Sequence, residues 1–295
     1  MQKTIIECAL NGPWTRAAQP LIPISVAECI ADGVACAKAG ASIIHVHPYD
    51  EATGKQRDEW EIYARIIEGI RNQVDVPVYP TIPFSHTSER TLSAQQRFAA
   101  TAALAQRGLL ELAAVDPGSV NFTFANGGAG FVYSNPEADI EYGLNLAASY
   151  GFIPCYAIYE PGFLRAGASL HARHVNAPNP LYRFMFSSEF LFGFPPVEYG
   201  LEALLRLRDE CAPNASWMSS GLGVDITPLI AMTVASGGHL RVGLEDAPLG
   251  STRRNLEWVE LAVRAVETHG GKVATVPEMR ALLGIPASKV SSADR

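Results

Sequence analysis

Eight short apolar runs, each followed by a helical pattern, restrict the fold of this 295-residue chain more than any other feature. The runs lie at residues 4–10, 42–47, 76–81, 110–115, 152–159, 181–187, 215–219 and 239–244. They are too short for helices and are bounded by turn residues, as buried strands are. Helix starts are marked by Ser25 before VAECIADGVACAKAG, Asp58 before EWEIYARIIEGIR, Ser88 before ERTLSAQQRF, and Asn135-Pro136 before EADIEYGLNLAASYG. Gly40, Gly108 and Gly151 stand where helices should stop. Further helices are expected over residues 161–173, 197–209, 226–235 and 252–269.

This alternation predicts an α/β chain, a parallel TIM (β/α)8 barrel, because right-handed crossovers wind the sheet one way and closure removes its edges. An open doubly wound sheet is the competing arrangement. The segment NGPWTR after the first run lacks the glycines that a dinucleotide-binding turn requires. One domain over residues 1–295 is expected, with 290–295 a frayed tail.

With 48% hydrophobic and 18% charged residues, the chain can bury a large core. A formal net charge of -7 argues against broad contact with a phosphate backbone, so no nucleic-acid partner is expected. No apolar run nears the roughly 20 residues that span a bilayer. The opening MQKTIIECAL leads into a strand rather than a signal peptide, and the expectation is a cytoplasmic protein without a membrane partner. The cysteines at 8, 29, 36, 155 and 211 show no C-x-x-C spacing and read as small buried hydrophobes.

Two distant segments carry the chemistry. In SIIHVHP (42–48), His45 and His47 stand two residues apart, so an extended backbone presents both imidazoles on one face. In GGHLRVGLED (237–246), Glu245 is a natural third ligand for zinc or another borderline ion. Hydrogen-bonded structural histidines, and an acidic pair capping the next helix, are the competing explanations. Convergence at the C-terminal ends of barrel strands, where such folds keep their sites, favours the metal. Asp246 is then free to pair with Arg241 on the same run. In the segment 116–128, Gly118, Ser119 and Asn121 can offer hydrogen bonds to a carboxylate or carbonyl, unless this is an ordinary loop. The other histidines, at 86, 171, 174, 239 and 269, are expected at the surface or in support.

Taken together, ECALNGPWTR, LIPISVAECIADGVACAKAGASIIHVHPYDEATG, DPGSVNF and GGHLRVGLEDAP resemble the β-keto acid cleavage enzymes, the family of 3-keto-5-aminohexanoate cleavage enzyme. The resemblance implies a TIM barrel with zinc on His45, His47 and Glu245. It implies a reaction in which a β-keto acid and acetyl-CoA give acetoacetate and a new acyl-CoA, with Arg241 and Asp246 serving proton removal at C2. By the same resemblance Thr81, Ser119 and Asn121 hydrogen-bond the keto acid, and the chain assembles as a homotetramer. The departures concern the substrate: Pro13-Trp14 and Ala157 stand where aminohexanoate-cleaving members carry acids. An uncharged keto acid is expected, with Trp14 and Tyr49 closing on it. A metal-dependent aldolase or hydrolase that does not use CoA, and a barrel that binds a small acid without turnover, remain open.

Overall fold

In the computed structural model, described over residues 3–84 and 91–286, the eight apolar runs become eight parallel strands. They are β1 (Ile6–Ala9), β2 (Ile43–Val46), β3 (Val78–Pro80), β4 (Leu112–Ala114), β5 (Ile153–Ile158), β6 (Leu181–Phe186), β7 (Trp217–Gly221) and β8 (His239–Val242). The backbone ladder runs 3-2-1-8-7-6-5-4, and β3 and β4 touch, so the sheet curls into a barrel. That last pair shares no ladder among the described residues. Pro80, at the end of β3, has no backbone N–H to give to β4, while Pro77 faces β2 and accepts there from Ile44 N–H; β3 keeps three residues of the expected 76–81.

Helices cover the outside. Ser25 starts Val26–Ala39 with a capping box, its hydroxyl accepting from Glu28 N–H while Glu28 returns to Ser25 N–H. The helix Trp60–Arg71 begins after Glu59 rather than Asp58, because Asp58 instead accepts hydrogen bonds from Gln56 and Tyr63. The third connection starts at a second capping box, Ser93 with Gln96. The expected start at Ser88, His86 and the tail 290–295 lie outside the described residues. Glu137–Tyr150, Pro161–Arg173, Glu198–Cys211, Ile230–Ala235 and Asn255–Thr268 complete the ring. No helix among the described residues is long and apolar enough to cross a membrane.

The two ends of the barrel differ. At the N-terminal end Lys3–Thr4 pairs in parallel with Lys272–Val273, and the following helix Val276–Leu283 sends Met279 and Leu283 against Ile43, Leu112 and Leu181. This plug was not foreseen, since a two-residue strand leaves no periodic signal. At the C-terminal end two antiparallel ribbons extend past the strands: Tyr49–Asp50 with Lys55–Gln56 after β2, and Val120–Phe122 with Phe131–Tyr133 after β4. These too were read as loops.

Candidate metal centre and active site

His45 lies in the second half of β2 and His47 directly follows the strand, while Glu245 lies just past β8. Because β2, β1 and β8 are neighbours, these distant segments meet across β1. Gly243, at φ +129°, makes the meeting possible: a Cβ there would stand 2.2 Å from the Ala9 carbonyl oxygen. The chain can therefore press onto β1, and Glu245 N–H bonds to that same oxygen at 3.2 Å. Gly12, at φ +62°, leaves the space that the Glu245 side chain fills, since a Cβ would lie 2.6 Å from its Cγ.

Two buried asparagines fasten the frame. Asn11 accepts from His47 N–H at 2.8 Å and donates to the His47 and Pro23 carbonyls. Asn255, at the start of its helix, accepts from Leu244 N–H at 2.7 Å and donates to Leu10 O and Asp32. Gln56, delivered by the first ribbon, fixes the His47 ring. Its Nε2 donates to Asp58, so its Oε1 faces His47 Nδ1 at 2.9 Å. His47 must then carry its proton on Nδ1, which leaves Nε2 as a bare lone pair.

That lone pair points into a place where nothing donates. His45 Nε2 and His47 Nε2 stand 3.3 and 3.5 Å from Glu245 Oε2, and His47 Nε2 and Glu245 Oε2 are buried without a hydrogen-bond partner. Ligand atoms about 2.0–2.1 Å from one tetrahedral ion are spaced at about 3.3–3.4 Å, so the three groups fit a cation such as zinc. His45, His47 and Glu245 can hold a metal ion. Their electrostatics agree. Burial drives the His45 imidazole well below its ordinary pKa, keeping it neutral, with only partial opposition from Glu245. Burial alone would raise Glu245, but the Arg241 guanidinium holds it well below the usual carboxylate range.

A chain of buried charges runs beneath the three ligands. Arg241 donates through Nε and Nη2 to Asp246 and reaches Glu245 and Glu7 through its other contacts. Tyr79 donates to Glu7 at 2.6 Å and accepts from Arg183, which in turn donates to Asp116. Burial, opposed by Arg241, pushes the Asp246 carboxyl up to about 7. Above this layer opens a cavity of about 110 Å³. The i, i+2 pairs His45/His47, Ala114/Asp116, Ala157/Tyr159 and Arg183/Met185 line it, the spacing of strand residues that share the inner face.

The expected site residues divide. His45, His47, Glu245, Arg241, Trp14 and Thr81 all reach this cavity. Asp246 does not line it and stands behind Arg241. Ser119 and Asn121 are not brought there: Ser119 is exposed and accepts from Asn135 N–H at 2.7 Å, and Asn121 is exposed on the second ribbon, whose Phe122 and Tyr133 turn inward instead. Tyr49 is spent elsewhere, donating to the Gly12 and Trp14 carbonyls and so pinning the loop that carries Trp14. Trp14 also donates to the Glu245 carbonyl at 2.8 Å. Reasoning from the sequence missed Glu7, Gln56, Asp116 and Arg183. Three of them carried a readable signal, being charged residues in or directly after strongly apolar strands.

Known proteins resemble this chain over nearly its whole length. The family model described as beta-keto acid cleavage enzyme matches residues 3–285. A 3-oxoadipate:acetyl-CoA acetyltransferase of Cupriavidus necator is 27% identical over 98% of this chain and 97% of its own length. A 3-keto-5-aminohexanoate cleavage enzyme of Fusobacterium nucleatum is 25% identical over 97% of this chain and 99% of its own. Among solved structures, the binary complex of ObcA with oxaloacetate superposes with a TM-score of 0.72 at 13% identity, covering 90% of this chain and 67% of that one, a likeness of fold. Spanning nearly its whole length and joining the ligand-bearing strands at both ends, the match places this chain in the β-keto acid cleavage enzyme family.

Proposed function

We propose that this protein transfers the acyl part of an uncharged β-keto acid to CoA, consuming acetyl-CoA and releasing acetoacetate, with zinc held by His45, His47 and Glu245. The observation that carries the reading is the convergence of three donor atoms, at 3.3 and 3.5 Å spacing, beside a buried Arg241–Asp246 pair at this cavity. Relatives named 3-oxoadipate:acetyl-CoA acetyltransferase, 3-keto-5-aminohexanoate cleavage enzyme and 3-dehydrocarnitine:acetyl-CoA trimethylamine transferase support the reaction class.

Zinc bound there supplies a Lewis acid for an oxygen that gains negative charge. The chain supplies the rest. Arg241 presents its guanidinium to the cavity, and Asp246, with a carboxyl near neutrality, stands ready behind it. A proton leaving C2 passes to Arg241 as a guanidinium proton passes to Asp246, so the arginine stays charged among Glu7, Glu245 and Asp246. The C2 carbanion attacks the acetyl carbonyl carbon and displaces CoA. The thiolate then attacks C3, the C2–C3 bond breaks, and C2 recovers the proton as acetoacetate leaves with the acyl group on sulfur. Thr81 and Trp14 line the cavity and position the keto acid.

Elemental analysis of the purified protein should find about one zinc per chain. His45→Ala and Glu245→Gln should lose the metal and acetoacetate formation together. Full turnover by a metal-stripped protein, or by His45→Ala, would refute the proposal.

A further inference from the structure

The cavity has two unlike ends. One holds the metal ligands, Thr81 and Arg241, and the other is a chamber of aromatic rings. Phe122, Phe131 and Tyr133 come from the ribbon after β4, Tyr159 from the end of β5, Phe190 from the loop after β6, and Phe84 from beyond β3. The rings are packed on one another: Phe84 meets Phe131 and Tyr133 edge-on with centroids 5.5 Å apart, and Phe122 meets Tyr159 and Phe190 at 5.1 and 5.2 Å. The chamber is also tied from outside. Ala125 N–H bonds to Glu189 O at 2.8 Å and Leu191 N–H to Thr123 O at 2.9 Å, joining ribbon and loop. Its walls are therefore set before a ligand arrives.

Among the described residues that line the chamber, no whole charge is left over for the far end of a substrate. Asp116 lines the cavity and borders the chamber through Tyr133: it accepts from Tyr133 OH at 2.7 Å, Ala157 N–H at 2.8 Å and Arg183 at 3.2 Å. Arg183 donates through its two terminal nitrogens to Tyr79 and Asp116, its charge is paired with Asp116, and its Nε is the one nitrogen left without a partner. A second carboxylate on the substrate would lose its hydration against ring faces that repel it, and an ammonium would recover only cation–π attraction of about 2 kcal/mol, with no carboxylate to pair it.

Resting on the proposed reaction, we infer that the acyl end of the β-keto acid is bulky and apolar, a medium-length alkyl chain or an aryl-ended chain seated among Phe84, Phe122, Phe131, Tyr133, Tyr159 and Phe190. The chamber then sets substrate choice by burial. Each added methylene should raise kcat/KM roughly fourfold until the chamber is full, the equivalent of about 0.8 kcal/mol per CH2.

The test assays zinc-loaded protein for acetoacetate with 3-oxohexanoate, 3-oxooctanoate, 3-oxodecanoate, 3-oxo-5-phenylpentanoate, 3-oxoadipate and a trimethylammonium-ended 3-oxo acid. The expected result is a kcat/KM that climbs along the alkyl series, with the octanoyl or phenyl arm at least tenfold above the adipate and ammonium arms. Phe84→Ala, and Phe131→Ala at a position already 42% exposed, should each lower the ratio of octanoate to hexanoate turnover severalfold while leaving the KM for acetyl-CoA in place. A flat series, a charged arm that wins, or variants that raise only the acetyl-CoA KM would overturn the inference and leave the reaction standing. If no arm yields acetoacetate, the reaction falls and calorimetry decides the chamber separately. Octanoate should then bind zinc-loaded protein at least tenfold more tightly than butanoate or adipate, and equal affinities would refute it.

Discussion

His47 shows how one side chain acquires a role from its neighbours. Its place on the inner face follows from the i, i+2 spacing, which is local and therefore readable in the sequence. Its tautomer depends on Gln56, which reaches it only because a four-residue turn at 51–54 folds the first ribbon back. Gln56→Leu should weaken zinc binding by about 10- to 100-fold, as loss of a group that orients a ligand does, and competition with a chelator would measure it. Gly12→Ala should act on Glu245 instead. The new Cβ, 2.6 Å from Glu245 Cγ and at positive φ, forces that side chain aside, so the metal content of the purified variant should drop along with activity. Normal metal stoichiometry in Gly12→Ala would show that Glu245 is not held in this way. Glu7 and Arg183 could be flagged in the sequence as charges in apolar runs, but their pairing through Tyr79 exists only after β1, β3 and β6 face one another.

At the scale of elements, strands and helices were legible because each carries its own signal. The eight runs and the capping serine Ser25 are examples, and the structure keeps all of them with ends shifted by a few residues. The ribbons were not legible, because strands of two or three residues are too short for alternation to stand out. That omission led Ser119 and Asn121 to be taken as cavity residues: with the ribbon in place, pleating turns Phe122 inward and Asn121 outward. Asn255 was also passed over, reading as an ordinary residue near a helix start. It bonds Leu244 N–H, Leu10 O and Asp32 at once, so it locks β1 to the segment that bears Glu245. Asn255→Ala leaves buried backbone groups unpaired and should lower stability by about 2–4 kcal/mol, read as a shifted urea midpoint at unchanged slope.

For the whole molecule, stability should depend on pH through His239. Burial keeps this imidazole neutral and lowers its pKa to about 4, with Nδ1 accepting from Ile5 N–H at 3.2 Å. The unfolded chain takes up a proton there below about 6.5 while the folded chain does not, so stability is full above that pH and declines as pH falls toward 4. The loss between pH 7 and pH 5 from this residue is about 2 kcal/mol. His239→Gln should remove that part of the slope in urea titrations at the two pH values, and an unaltered slope would rule the residue out. The barrel itself followed from alternation and crossover handedness, but its incomplete closure did not, even though Pro80 was in view. With no ladder between β3 and β4, amide hydrogen exchange should be fastest in those two strands and slowest in β1, whose ladders to β2 and β8 are both intact. The barrel then has a seam between β3 and β4 at which it can breathe, so fluctuations that admit or release a ligand near Phe84 need not break the ladders that tie β2 to β1 and β1 to β8.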